Sequence, residues 1–238
     1  MKTFLEIRES LKKLPDLRKG RAFEEKYAQY LKIIVKAKDE LSKASVALPH
    51  ADAVAPAPEY AEVRKSISKA SKNAKQIAEK LKAQPEAIDE KATDKIITSL
   101  KENAAASLSQ CKKVWETRIA SKARQWKEIA GVVTKLGGAA DGEKIKVQAS
   151  KLTNAIRSLE FAATDLPQDK AKALAVQNDL KSITDAVADL DLETPFGRFL
   201  RNAADENKGA DLESLQNPEV LEAISKHNLQ KSFRIYLT

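Results

Sequence analysis

From Tyr60 to Leu81 the apolar residues recur in alternating steps of three and four: Tyr60, Val63, Ile67, Ala70, Ala74, Ile77 and Leu81. That spacing sets one narrow apolar stripe along an α-helix and leaves the other side to lysine, serine and glutamate. A helix with one such stripe has no core of its own. It must lie along other helices that carry matching stripes. The same spacing returns in Phe4, Ile7, Leu11 and Leu14, and again in Phe23, Tyr27, Tyr30, Leu31, Ile34, Leu41 and Leu48. It returns once more in Ile145, Ala149, Leu152, Ile156, Leu159, Ala163 and Leu166, then in Ala173, Val176, Leu180, Ile183, Val187 and Leu190.

The longest stripe runs Ile97, Leu100, Ala104, Leu108, Cys111, Trp115, Ile119, Lys122, Trp126, Ile129, Val133 and Leu136. It repeats every eleven residues up to Ile119 and every seven thereafter, so it calls for a straight helix that passes into a left-handed pairing. A helix over 86–136 would be about 75 Å long. Only seven glycines punctuate the 238 residues, and aromatic residues make up 5%. A compact α/β enzyme needs far more turn material, whereas long helices need little. The expected fold class is therefore all-α: an elongated antiparallel coiled coil or helical bundle with long helices and a short strand-like C-terminal tail.

Punctuation suggests where the chain divides. "PHADAVAPAP" (49–58) lacks helical periodicity and reads as an Ala/Pro linker within a basic long-helix bundle at 1–138. "GGAADG" (137–142) closes the long helix, with Gly137 suited to a left-handed cap. Residues 139–194 read as a helical hairpin, with one kinked helix as the alternative; Asp165 is a candidate cap and Pro167 lies near the first turn. From Pro195 the texture changes to short helices at about 195–206, 210–216 and 218–227. The chain ends in "KSFRIYLT", where Phe233, Ile235 and Leu237 alternate with Ser232, Arg234 and Tyr236 in the two-residue period of a strand.

Groups that carry chemistry are sparse. His50 and His227 stand far apart with no Cys or His at ligand spacing, which disfavours zinc. Cys111 is the sole cysteine and falls on the apolar stripe, so it reads as a structural thiol, suited to a reducing compartment. "GGAADG" has no GK[ST] after it and no strand before it, which sets phosphate binding below the cap reading. Adjacent acids such as Glu24/Glu25 and Asp89/Glu90 point about 100° apart on a helix and make no catalytic pair. The acids Asp179, Asp185, Asp189, Asp191 and Glu193 crowd a helix C-terminal region, where a solvated end is favoured over a dock for a basic partner. No catalytic residue, cofactor or metal is expected.

Charge is uneven. Residues 1–150 hold 31 basic and 20 acidic side chains, a balance of +11, and residues 151–238 hold 11 and 14, a balance of −3. The stretch 109–128 combines Trp115 and Trp126 with Lys112, Lys113, Arg118, Lys122, Arg124 and Lys127. Helical geometry sends Lys112, Lys113, Arg124 and Lys127 to the side away from the tryptophans, while Arg118 and Lys122 share the tryptophan face and can lie over an indole or reach past it. The function expected is a non-enzymatic coiled-coil scaffold or accessory subunit, cytoplasmic, that assembles with protein partners or with itself. Phe233, Arg234, Ile235, Tyr236 and Leu237 would dock as an added strand on a partner's sheet. The alternative is a helical protein that binds nucleic acid weakly and without sequence preference through residues 1–150, with the six cations of 109–128 as contacts. A membrane-surface or pore-forming role ranks last, because no apolar hairpin or spanning segment occurs.

Overall fold

The computed structural model describes residues 2–12, 21–83, 91–139, 143–204 and 212–230 of the chain. Among these residues there are nine helices and no strand: α1 (Lys2–Lys12), α2 (Arg21–Val54), α3 (Tyr60–Ala83), α4 (Lys91–Ala139), α5 (Glu143–Ala162), α6 (Lys170–Asp189), α7 (Pro195–Ala204), α8 (Leu212–Leu215) and α9 (Pro218–Lys226). The protein is an all-α helical bundle. Two compact units divide it, Met1–Trp115 with Leu166–Lys170, and Glu116–Asp165 with Ala171–Thr238. The tail 231–238, with the expected strand residues Phe233 to Leu237, lies outside the described residues.

In the first unit the three-four stripes become the core. Ile7 and Leu11 of α1, Tyr30, Ile34 and Leu41 of α2, Ala70, Ala74, Ile77 and Leu81 of α3, and Ile97, Leu100 and Ala104 of α4 form one buried cluster. Eleven residues are too few to hold a helix in water by themselves. The α1 segment is helical because it packs on α3 and α2, with Ile7 and Leu11 fully buried. Each such burial contributes about 1.5–3 kcal/mol. Polar bonds fix the order along the helices. Asn73 Nδ2 donates to Ser99 Oγ at 2.9 Å and Ser66 Oγ to Gln110 Oε1 at 3.4 Å, so the residue number falls along α4 as it rises along α3, the mark of an antiparallel pair.

The Ala/Pro stretch behaves differently from its composition. α2 passes through Pro49 and ends only at Val54, so residues 49–54 are helix and the connection is confined to 55–59. Proline inside a helix removes one backbone bond and costs about 3 kcal/mol. Burial around it offsets that cost: Ala44, Ala47, Leu48 and Ala51 are buried while Pro49 itself faces water. An ion pair from Arg64 of α3 to Asp52 holds the last turn, and Ala55 N–H closes it on the Ala51 carbonyl at 2.9 Å. The glycines at the end of α4 also differ from expectation. The helix runs on through Gly137 and Gly138 to Ala139, so Gly137 is not a cap.

In the second unit α5 and α6 are two separate helices joined through 163–169, and they form an antiparallel hairpin. Gln148 donates to Asp189 at 2.6 Å and Ser158 to Asp179 at 2.5 Å, so ten residues up α5 match ten residues down α6. Lys172 and Asp165 pair at 2.7 Å in the same register; Asp165 does not cap α6, which starts at Lys170. The C-terminal part of α4 pairs with α5 in the same way, through Lys127–Glu160 at 2.6 Å and Thr134–Thr153 at 3.1 Å.

Two matching helix ends complete this unit. After α6, Leu192 N–H reaches the Val187 carbonyl at 2.9 Å and Asp191 N–H the Ala188 carbonyl at 3.1 Å, with Asp191 left-handed at φ 55. After α9, Leu229 N–H reaches the Ile224 carbonyl at 2.9 Å and Asn228 N–H the Ser225 carbonyl at 3.1 Å, with Asn228 at φ 52. Both are Schellman closures, in which a left-handed residue turns the chain and the next apolar residue folds back onto the last turn. Leu192 and Leu229 are that buried residue in each case. Asp and Asn tolerate the left-handed region better than other side chains with a Cβ. At the start of α9, Asn217 Oδ1 accepts from Glu219 N–H at 2.9 Å and Pro218 takes the first helical position.

Candidate functional site

The basic stretch of α4 resolves into two sides. Cys111, Trp115, Ile119, Trp126 and Ile129 are all buried, whereas Lys112, Lys113, Arg124 and Lys127 are exposed. Between Ile119 and Trp126 the buried residue is Ala123, and Lys122 is exposed rather than part of the apolar line. The buried positions Cys111, Trp115, Ile119 and Ala123 advance in steps of four. Four-residue steps rotate an apolar line about 40° each time, which carries Lys122 out to solvent. The cation that lies over Trp126 is Arg201 of α7, 5.3 Å from the ring centroid, and not the neighbouring Lys122. Arg118 is half-buried, and Lys127 is tied to Glu160. The exposed acids Glu116 and Glu128 interrupt the series. The six cations therefore do not form one continuous surface.

Cys111 is fully buried, and burial pushes its thiol up to about 11. It is protonated at neutral pH and a poor nucleophile. Groups of acidic, histidine and cysteine side chains suited to a metal are absent among the described residues.

One polar cluster had no counterpart in the sequence reading. His227, at the end of α9, is buried, and its Nε2 lies 3.0 Å from Asp191 Oδ2. Lys226 Nζ donates to the same oxygen at 2.6 Å. The imidazole stacks on Phe196 of α7, centroids 5.8 Å apart. Burial pushes the Asp191 carboxyl up, but the bonds and charges of Lys226 and His227 outweigh it and hold the group below the usual aspartate value. Thirty-six residues separate Asp191 from His227 in sequence. The only local hint was an Asp and an Asn, each just after an apolar helical run and just before a leucine. The cavity against His227, Phe196 and Leu229 has a volume of about 10 Å³, close to one water probe and too small for a substrate. This cluster ties the ends of two helices together, and the cavity beside it has no room for a substrate.

A wider, open cleft of about 360 Å³ lies between α2 and α3, lined by Ser45, Leu48, Pro49, Arg64, Ile67 and Ser68. Pro49 has no N–H to give the Ser45 carbonyl, so that acceptor lacks its usual helical donor. His50, one residue on, is half-buried. Among the described residues no helix is long and apolar enough to cross a membrane. No protein-family model, curated protein or solved structure matches this chain.

Proposed function

We propose that the chain is a non-enzymatic helical scaffold or accessory subunit that engages a partner protein through the outer side of α5. The observation that carries this reading is Phe161, a residue 81% exposed. Phe161 and Val147, itself half exposed, lie on one stripe with Lys151, Asn154 and Ser158, the last of which is bonded to Asp179 of α6. That stripe faces away from the buried line of Ile145, Ala149, Leu152, Ile156 and Leu159. Holding a phenylalanine in water forgoes about 1.5–3 kcal/mol that burial would supply, and aromatic anchors with polar rims are what protein interfaces use. The alternating tail, Phe233, Arg234, Ile235, Tyr236 and Leu237, supplies a second element of the same kind under this reading, and the lone Cys111 supports a reducing, cytoplasmic setting.

The test is co-purification from the native source followed by titration calorimetry with the stoichiometric partner. Phe161→Glu keeps the melting temperature of the wild type and abolishes the complex, and Phe161→Leu restores part of the affinity. A partner that binds Phe161→Glu as well as wild type overturns the reading, as does purification of the chain alone at full recovery.

A further inference from the structure

α3 carries more cations than acids. Its cations are Arg64, Lys65, Lys69, Lys72, Lys75, Lys80 and Lys82, against the acids Glu62 and Glu79. The buried line of the helix is Tyr60, Val63, Ala70, Ala74, Ile77, Ala78 and Leu81. Lys65, Lys69, Lys72 and Gln76 follow one another at helical spacing on the opposite side, and Lys75 stands three residues beyond Lys72. Arg64 pairs with Asp52 and Lys65 with Glu62. Lys69, Lys72 and Lys75 are exposed and form no ion pair among the described residues. Ser68 and Ser71 stand exposed beside them.

We infer that this ridge of α3 binds the phosphate backbone of a nucleic acid duplex without reading its bases. The chemistry of the face selects that partner over other polyanion carriers. None of the large exposed apolar side chains lies on α3. A protein interface needs an apolar anchor at its centre, and a membrane-surface helix needs an apolar side to insert. Single-stranded nucleic acid is held by exposed aromatics, and the aromatic residue of α3, Tyr60, is fully buried. Lysine ammonium groups interleaved with serine hydroxyls match what phosphate oxygens accept, and they carry no base-reading geometry. The inference is independent of the α5 docking stripe and places the contacts on α3 instead of on the α4 stretch.

The test uses a fluorescein-labelled duplex of about 20 base pairs and mixed sequence, with fluorescence anisotropy read from low to moderate salt. Three or four neutralised phosphates give a log–log salt slope of about −3. Lys69→Glu, Lys72→Glu and Lys75→Glu together weaken binding at least tenfold at low salt and flatten the slope. The control triple Lys101→Glu, Lys135→Glu and Lys146→Glu, exposed cations on other helices, changes net charge equally and stays within about threefold of wild type. Should the α3 triple lose helicity by circular dichroism, Lys→Gln at the same positions replaces it. Equal losses in the two triples reduce the effect to net charge and overturn the inference. So does wild-type binding too weak to detect at low salt, or tighter binding of poly-L-glutamate than of the duplex.

Discussion

Two glycine-to-alanine substitutions within one unit should change stability in opposite directions. Gly131 lies exposed inside α4, and a Cβ built on it meets nothing within 4 Å. Alanine there removes backbone entropy from the unfolded chain, and the expected gain is about 0.5–1 kcal/mol. Gly197 is the third residue of α7, and its Cβ would stand 1.8 Å from the Leu192 carbonyl oxygen, 2.4 Å from the carbonyl carbon and 2.7 Å from Cα. These are backbone atoms, so no rotamer can relieve the overlap. Leu192 cannot retreat, because its N–H is bonded to Val187 and its side chain is buried. The first turn of α7 must lift instead, with Phe196, Phe199 and Leu200. Losing even half the burial of those three side chains costs about 2–4.5 kcal/mol. Urea unfolding followed by tryptophan fluorescence reads both variants on one scale. Gly197→Ala within about 0.5 kcal/mol of wild type, or a Gly131→Ala variant less stable than wild type, refutes the reasoning.

Trp115→Ala should lower stability by about 3–5 kcal/mol, because the ring is almost fully buried; an unchanged melting temperature would remove it from the core. The Cys111 thiol is raised from 9.0 to about 11, so the unfolded chain releases its proton first; its contribution is complete below pH 9 and is lost as pH rises from 9 to 11. The stability difference between wild type and Cys111→Ala should fall by about 2–3 kcal/mol across that window, and a flat difference would contradict the burial argument. Asp191 is held below its usual value, so its stabilisation is present at neutral pH and fades as pH drops through its folded value; Asp191→Asn should narrow the gap to wild type at acid pH, measured by thermal melts.

The apolar stripes were legible because packing in a bundle requires them. Every apolar position named between Tyr60 and Leu81 is buried or half-buried, and Cys111, Trp115, Ile119 and Trp126 are buried as the helical wheel demands. What failed to show in the sequence depends on neighbours. Pro49 looks like a breaker, and only the burial of Ala47, Leu48 and Ala51 around it keeps α2 helical. Lys122 fills a stripe position by counting sevens, but consecutive four-residue steps move the line onto Ala123. Arg201 finds Trp126 from 75 positions further along the chain, which no local pattern announces. His227 stands alone in the sequence because its partner Asp191 comes close only when two helices end side by side. The exposed anchor Phe161 breaks the helical pattern in plain view, yet a lone exposed apolar residue is common enough to pass unnoticed.

The cross-helix bonds of the second unit have a consequence for how such a sequence can drift. Gln148 with Asp189 and Ser158 with Asp179 act as a ruler: the number of residues between Ser158 and Gln148 equals that between Asp179 and Asp189. One residue inserted in 163–169 lengthens a loop and leaves both spans intact. One residue inserted between Asp179 and Asp189 turns everything beyond it by about 100° and advances it by about 1.5 Å. With the extra residue placed before Asp185, Gln148 would then face a different side chain, Asp185 would take the buried place of Ala186, and Val187 would take the exposed place of Ala188. Substitutions can accumulate along these helices while the spans stay fixed, so descendants of this sequence should differ in letters long before they differ in helix length, with insertions gathering in the connections.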